Sequence, residues 1–441
     1  MLNVPFFGHS TRALLAASWL VACGSPPAPV PPVCVFPPAS AAPGAVSTPV
    51  AATPATPSSA APAPSLTPAL LTVHVKNPMP AARSRQTIEL QASELLKLAP
   101  TLELAKTLVF DEHGALVLSQ LVATAAGSPP SLLIFQTELA AGESKTFTLR
   151  AGERTIPAAS EYRAYGRFVR ERHDDFAWEN DLVAHRTYGP ALETAGKESL
   201  VSSGMDVWAK RSPRLLVNEW YLTDDYHQDH GDGADLYSVG KTRGCGGLGI
   251  WAGNKLFVSH NFTSSRVLAN GPIRLIFELD YAAWDAAGTK YSETKRVSLD
   301  AGSVFNHFES TFKFKGRPAS VGIGIAKHPG TTPTFESAHD SFRVWEPADG
   351  KLGFIGCAVV LPAGTVGVEQ QTDSDYVLLT TANPDLPVHY YVGSAWDRAG
   401  RISTPEAWGD TVRAESARLA APVQVDLSAG TAPAPTPPAA K

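Results

Sequence analysis

Gly271-Pro-Ile-Arg-Leu-Ile-Phe-Glu-Leu-Asp-Tyr281 is the stretch on which the fold turns. Successive side chains of an extended chain point to opposite faces. Ile273, Leu275, Phe277 and Leu279 therefore share one face, and Arg274, Ile276, Glu278 and Asp280 share the other. An apolar face backed by a mixed one marks a strand of an antiparallel sheet that packs on one side.

Working outward, the same signal continues through residues 295–299, 306–315, 321–326, 353–361, 376–381 and 388–394. It precedes the stretch in 71–77, 87–90, 108–110, 132–135, 147–149, 205–210 and 215–222. Residues 92–98 suit a short helix. One longer helix lies near the C-terminus, where Thr404 can cap it, Pro405 suits the first turn, and Trp408, Val412 and Leu419 share a face. The fold expected is mainly β. A small N-terminal β-barrel or half-sandwich over 70–160 precedes a large antiparallel β-sandwich over 161–427 with one C-terminal helix. These about 360 residues exceed what one ordinary core holds.

The flanks have a different character. Residues 13–22 form an apolar run too short to span a bilayer, ending in Leu20-Val-Ala-Cys23. This is the pattern of a bacterial lipoprotein signal over 1–23, with Cys23 lipidated; a plain secretory signal is the alternative. The expected location is the bacterial cell envelope, through a lipid anchor, or the exterior. Residues 24–69 are rich in Pro, Ala, Ser and Thr without a charge before Pro68, and read as a disordered tether in which Cys34 has no evident role. Residues 428–441 read as a disordered tail. The net charge of −5 and the absence of a Lys/Arg block exclude a nucleic-acid partner. Cys245 and Cys357, the cysteines of the folded part, are candidates for a disulfide in an oxidising compartment.

Residues 218–247 concentrate polar chemistry: Asp224, Asp225, Asp229, Asp232 and Asp235, with His227 and His230 among them. As an ordinary core strand they would lose water without compensation, so they form an exposed turn or line a polar site. His227, Asp229, His230, Asp232 and Asp235 are the donor types that bind a divalent metal such as calcium or zinc, although their spacing matches no known metal loop. The second chemistry is acid/base catalysis on a sugar. Tyr221, Tyr226, His227, His230 and Tyr237 are the proton carriers, Trp220 and Trp251 can stack on sugar rings, and Lys210, Arg243, Arg274 and Glu278 can contact substrate polar groups. Hydrolysis asks instead for a carboxylate pair, for which Glu179, Asp181, Asp206 and Glu278 are available. Trp178, Trp208 and Trp284 read as core, and Gly244, Gly246 and Gly247 as a tight bend or close backbone approach.

Three segments carry a resemblance: Phe176-Ala-Trp-Glu-Asn-Asp-Leu-Val-Ala-His-Arg-Thr-Tyr-Gly-Pro-Ala, Tyr226-His-Gln-Asp-His-Gly-Asp-Gly-Ala-Asp-Leu-Tyr-Ser-Val-Gly, and Arg243-Gly-Cys-Gly-Gly. They resemble a secreted bacterial family, domain of unknown function 4861. The resemblance implies a setting among enzymes that degrade pectin and other uronate polysaccharides, and a galactose-mutarotase-like supersandwich. It carries no catalytic residue. The functional expectation is an exported carbohydrate-active protein, a lyase acting on uronate-containing oligo- or polysaccharides. The alternatives are a noncatalytic glycan-binding lipoprotein and a glycoside hydrolase.

Overall fold

A computed structural model describes residues 69–223 and 225–430. The expectations at Cys23, Cys34 and Asp224, the leader, the tether up to residue 68 and residues 431–441 lie outside the described residues. Within them the chain is mainly β, its sheets are antiparallel, and one of three α-helices lies near the C-terminus.

The small unit pairs two sheets. One has the order Gln424–Ala429, Ala69–Lys76, Ser144–Ala151, Thr107–Phe110, Leu116–Val117; the other is Arg83–Gln91, Leu132–Leu139, Ser119–Val122. Leu71, Val73, Val75, Ile88, Phe135 and Phe147 fill the space between them. The last strand of the described residues belongs here, with Leu71 opposite Ala429 and Lys76 opposite Gln424. It runs through Ser428 and Ala429, beyond the boundary that composition suggested. Val425 and Leu427 lean on the core, and the residues between them face outward. Two apolar residues in six give too little period to read beside a Pro/Ala-rich tail.

The large unit is sandwich-like. An eight-stranded sheet runs Ser264–Ala269, Arg274–Ala286, Thr289–Asp300, Phe305–Lys313, Pro387–Trp396, Phe354–Val360, Ser341–Pro347, Thr334–Phe335. It shares one core with two five-stranded sheets. Phe277, Val297, Phe308 and Tyr390 come from the large sheet, Ile250, Ile323 and Leu378 from the sheet centred on Ala319–Ala326, and Phe176, Trp178 and Val207 from the sheet centred on Ala184–Thr187. Phe176 stacks on Phe277 at 4.2 Å.

In the strand Arg274–Ala286, Leu275, Phe277 and Leu279 are fully buried, as alternation requires. Ile276, on the opposite face, is buried as well, because the small unit covers it with Val122, Leu132 and Ile134. Gln120 fastens that joint. Its Oε1 accepts from Ile273 N at 3.0 Å and Arg274 N at 2.8 Å, and its Nε2 donates to Arg274 O at 2.8 Å.

The helix Pro405–Ala420 begins as its cap residues require, with Thr404 Oγ1 accepting from Ala407 N at 3.2 Å. Trp408 and Val412 bury against Phe305, Ala358 and Val360. Residues 215–222, read as a strand, are corrected to the helix Val217–Leu222. Leu216, Val217 and Trp220 are the buried positions, a helical spacing that six residues were too few to reveal, and buried Glu179 accepts from Val217 N at 2.7 Å at its start. Cys245 and Cys357 are corrected from a candidate disulfide to buried free thiols, with Cys245 Sγ donating to Gly393 O at 3.5 Å. Gly244 bears out a close approach: at φ +59°, an added Cβ would stand 2.0 Å from Met205 O.

Candidate active site

The sheet ordered Gly233–Asp235, Asp206–Lys210, Ala184–Thr187, Asp175–Asn180, Ala164–Val169 collects the charge. Arg186 stands opposite Asp206 and Ala177, and Trp208 opposite Asp235. The period of two then places Asp175, Arg186, Asp206, Trp208 and Asp235 on one face. Glu179 and Lys210 lie further along it, ion-paired and fully buried.

Arg186 is the hub. Its Nη2 donates to Asp206 Oδ2 at 2.6 Å and Asp235 Oδ2 at 2.8 Å, its Nε reaches Asp206 at 3.0 Å, and its Nη1 lies 3.7 Å from Asp175. Tyr188 Oη donates to Asp206 Oδ2 at 3.3 Å. The Asp206 and Asp235 oxygens are each within 2.8 Å of one nitrogen, so at most twice that distance separates them. Burial pushes Asp175 up to about 7, with Arg186 and Arg172 opposing and Asp206 adding to the rise. Burial and repulsion from Asp235 likewise push Asp206 up to about 7 against the pull of Arg186. Asp235 is raised by burial too. Burial alone would lower Arg186, but Asp235 and Asp206 outweigh it and hold it charged.

These groups form the floor of a cleft of about 260 Å³, whose rim includes Arg172, Tyr188, Glu198, His227, Tyr237 and Asp349. The helix Val217–Leu222 and the loop after it bring the rim into place, with Tyr226 stacked on Trp208 at 5.2 Å. Asp235 N donates to Tyr226 O at 2.8 Å. His227 Nδ1 lies 3.3 Å from the Asp235 carbonyl and 3.6 Å from its Oδ2. A carbonyl only accepts, so Nδ1 carries the hydrogen and Nε2 is left as a base. Tyr226 Oη accepts from Arg172 Nε at 2.7 Å, leaving its own hydrogen to be donated elsewhere. Arg172 also pairs with Glu198 through Nη1 at 2.9 Å. Accessibility divides the roles. The His227 side chain is 63% exposed and that of Arg172 26%, whereas Asp206 is fully buried. The rim can meet a ligand; the floor orients the rim.

Of the residues singled out from sequence, Asp206, His227, Asp235 and Tyr237 line the cleft, and Tyr226 is bound to its rim. The others are placed elsewhere. The five metal donors do not converge. Asp229 pairs with Arg211 and caps Gly231 N, Asp232 faces Arg214 at 3.5 Å, His230 faces Asp225 at 3.7 Å, and Asp235 serves Arg186. Tyr221 packs on Trp208 with its hydroxyl buried. Trp220 is buried against Trp208, and Trp251 is half-buried on another sheet, so they form no joint platform. Lys210 is spent on Glu179 and on Asn180 O at 2.6 Å. Arg243 is buried, donating to Ser203 Oγ at 3.0 Å. Arg274 is held by Asp300 at 2.5 Å and Glu89 at 2.6 Å. Glu278 takes its cross-strand partners Arg266 and Arg296 at 2.5 and 2.6 Å. Each failure has one cause: residue type reports capacity, and the register decides the partner.

Sequence reasoning missed Asp175, Arg186, Tyr188 and Arg172. A signal was present. Asp175 with Glu179, and Asp206 with Lys210, repeat charge at a four-residue interval within otherwise buried strands.

Residues 75–425 match the family described as Domain of unknown function (DUF4861). The chain belongs to that family. By sequence the chain is similar to the uncharacterized protein P7 of Formosa agariphila, 30% identical over 376 residues, covering 80% of this chain and 93% of that one. Among solved structures, an alpha-mannosidase from Enterococcus faecalis is similar at TM-score 0.38 and 10% identity, over 82% of this chain and 46% of that one. A glycosyl hydrolase family 38 protein of the same organism is similar at TM-score 0.36 and 11% identity, over 81% and 47%. The chain spans about half the length of those two structures, and so distant a likeness bears on neither substrate nor reaction. The name DUF4861 assigns no reaction either, which leaves the cleft to speak for itself.

The floor makes stability depend on pH. Asp175 and Asp206 bind protons more tightly folded than unfolded, since both rise from 3.8 to about 7. Their contribution is full below about pH 4 and is lost as pH rises through 7. Urea unfolding at pH 5 and pH 8 should show greater stability at pH 5, by on the order of a few kcal/mol. Asp175→Asn should shrink that difference; an unchanged difference would remove Asp175 from the titration.

Proposed function

We propose that the cleft is the active site of an exported, carbohydrate-active enzyme that cleaves uronate-containing saccharides by elimination. The observation that carries the reading is the pairing on the rim. An exposed His227, oriented through Nδ1 by Asp235, stands beside Tyr226, oriented by Arg172. Elimination needs a base for the C5 proton, an acid for the leaving oxygen and a cation on the substrate carboxylate. His227 Nε2 serves as the base and Tyr226 Oη as the acid. Arg172 replaces Arg243 as the cation, because it lines the cleft and Arg243 is buried. The Arg186 cluster positions Asp235 and through it His227.

Glycoside hydrolysis has one observation in its favour, the close Asp206 and Asp235 carboxyl groups with raised proton affinity. Both are bound to Arg186 and buried, which argues for support of the rim over contact with a sugar. Noncatalytic binding loses its basis with the dispersal of Trp220 and Trp251. Incubation with a panel of uronic-acid oligosaccharides tests elimination, whose unsaturated product absorbs in the ultraviolet. New reducing ends without that absorbance would favour hydrolysis, and neither signal across the panel would sink both enzymatic readings.

The envelope location rests on Leu20-Val-Ala-Cys23 alone. Expressed in a bacterium, the chain should fractionate with membranes and take up labelled fatty acid. Cys23→Ser should abolish both, and an unlabelled wild-type chain would contradict the anchor.

A further inference from the structure

Away from the cleft, the outer face of the eight-stranded sheet carries a second chemical cluster. Strands Phe305–Lys313 and Pro387–Trp396 pair antiparallel, with His307 opposite Tyr391 and Glu309 opposite His389. Residues two apart on a strand share a face, so all four side chains stand together. His307 Nε2 lies 3.1 Å from His389 Nδ1, and the donor atoms of His307, Glu309 and His389 lie within 4.8 Å of one another. Among the described residues, no other His, Cys, Asp or Glu set meets that spacing. Tyr391 stacks on the His307 ring at 4.6 Å and 15°, fixing its plane.

We propose that His307, Glu309 and His389 form a binding site for a divalent transition metal of the zinc class. Two imidazole nitrogens this close must either share a proton or share a cation. At zinc–nitrogen distances of about 2.0–2.1 Å, a 3.1 Å separation corresponds to a ligand–metal–ligand angle of about 100°, close to tetrahedral. Two imidazoles and one carboxylate are the donors zinc accepts, and three protein ligands leave a position for water or an oxygen ligand. The site can be occupied without dismantling the fold: Glu309 and His307 are half-buried, and His389 is exposed. The neighbouring cation, Arg274, is already neutralised by Asp300 and Glu89. His307 and Tyr391 also border a cavity of about 410 Å³ between the two units, which gives a metal-bound oxygen ligand somewhere to lie.

The test is calorimetric titration of the chelator-treated, dialysed full chain with Zn²⁺ alone. One equivalent should bind. Loss of an outer-shell partner already costs metal sites about 10–100-fold, so His389→Ala and Glu309→Gln should each weaken binding by about 100-fold or more. His230→Ala, in the polar loop, should bind as the wild type does. Melting temperature supplies a second readout, rising with zinc in the wild type and His230→Ala but not in His389→Ala. No zinc binding, equal binding by His389→Ala and Glu309→Gln, or an equal thermal rise in all chains would overturn the site.

Discussion

Arg186→Met is expected to lower the unfolding free energy by about 3–5 kcal/mol at pH 8, and by less at pH 5. Asp175, Asp206 and Asp235 crowd beneath the cleft, and Arg186 is the cation that touches all three. Methionine keeps much of the stem's volume and its contact with Trp208, but leaves the carboxylates buried without the cation that bridges them. Acid restores them. Asp175 and Asp206, already raised to about 7 with the guanidinium present, rise further without it and are neutral at pH 5. Denaturant unfolding of both chains at both pH values measures this directly. A loss of equal size at pH 5 and pH 8 would mean that the cluster is not held by charge.

The second large effect is on turnover. His227→Ala should reduce kcat by about 10²–10⁴-fold on an oligosaccharide the wild type cleaves, with the melting temperature unchanged. The ring is largely exposed and its bonds are to Asp235 alone, so little packing is lost. Tyr226→Phe should also cut kcat while keeping the stack on Trp208. Arg172→Ala should lower kcat and raise KM together, since Arg172 receives the substrate carboxylate and also orients Tyr226. Steady-state kinetics on purified variants, with unfolding curves beside them, separates these outcomes. A His227→Ala enzyme at wild-type rate would remove the histidine from the chemistry.

The fold was largely legible because alternation reports burial, and burial dominates this molecule. Leu275, Phe277 and Leu279 point inward as their spacing says, and Thr404 caps the helix its neighbours announce. Legibility failed where the environment departs from water on one side and core on the other. Ile276 looked outward and met the small unit. Residues 424–427 read as part of the large unit and 428–429 as tail, yet together they form a sheet edge of the small unit, because their partner Ala69–Lys76 lies about 350 positions away in the chain. Val217–Leu222 is a helix too short to declare its period.

The site was half legible. The polar run pointed to His227, Tyr226, Tyr237 and Asp235, because histidines and acids amid glycines are costly anywhere but at a surface or a site. It could not reveal Arg186, which sits in a strand whose neighbours are all buried and looks from sequence like one more strand residue. Nor could it tell that Lys210 and Arg243 are consumed internally, since a cation's partner is decided by cross-strand register rather than by type.

Turnover in heavy-oxygen water, followed by mass spectrometry of the products, decides between elimination and hydrolysis at the cleft. Elimination breaks the glycosidic bond without consuming water, so the unsaturated products should be free of solvent oxygen, formed by the wild type and lost in His227→Ala. Products carrying one heavy oxygen per cleavage would show hydrolysis and contradict the assignment of the cleft to elimination.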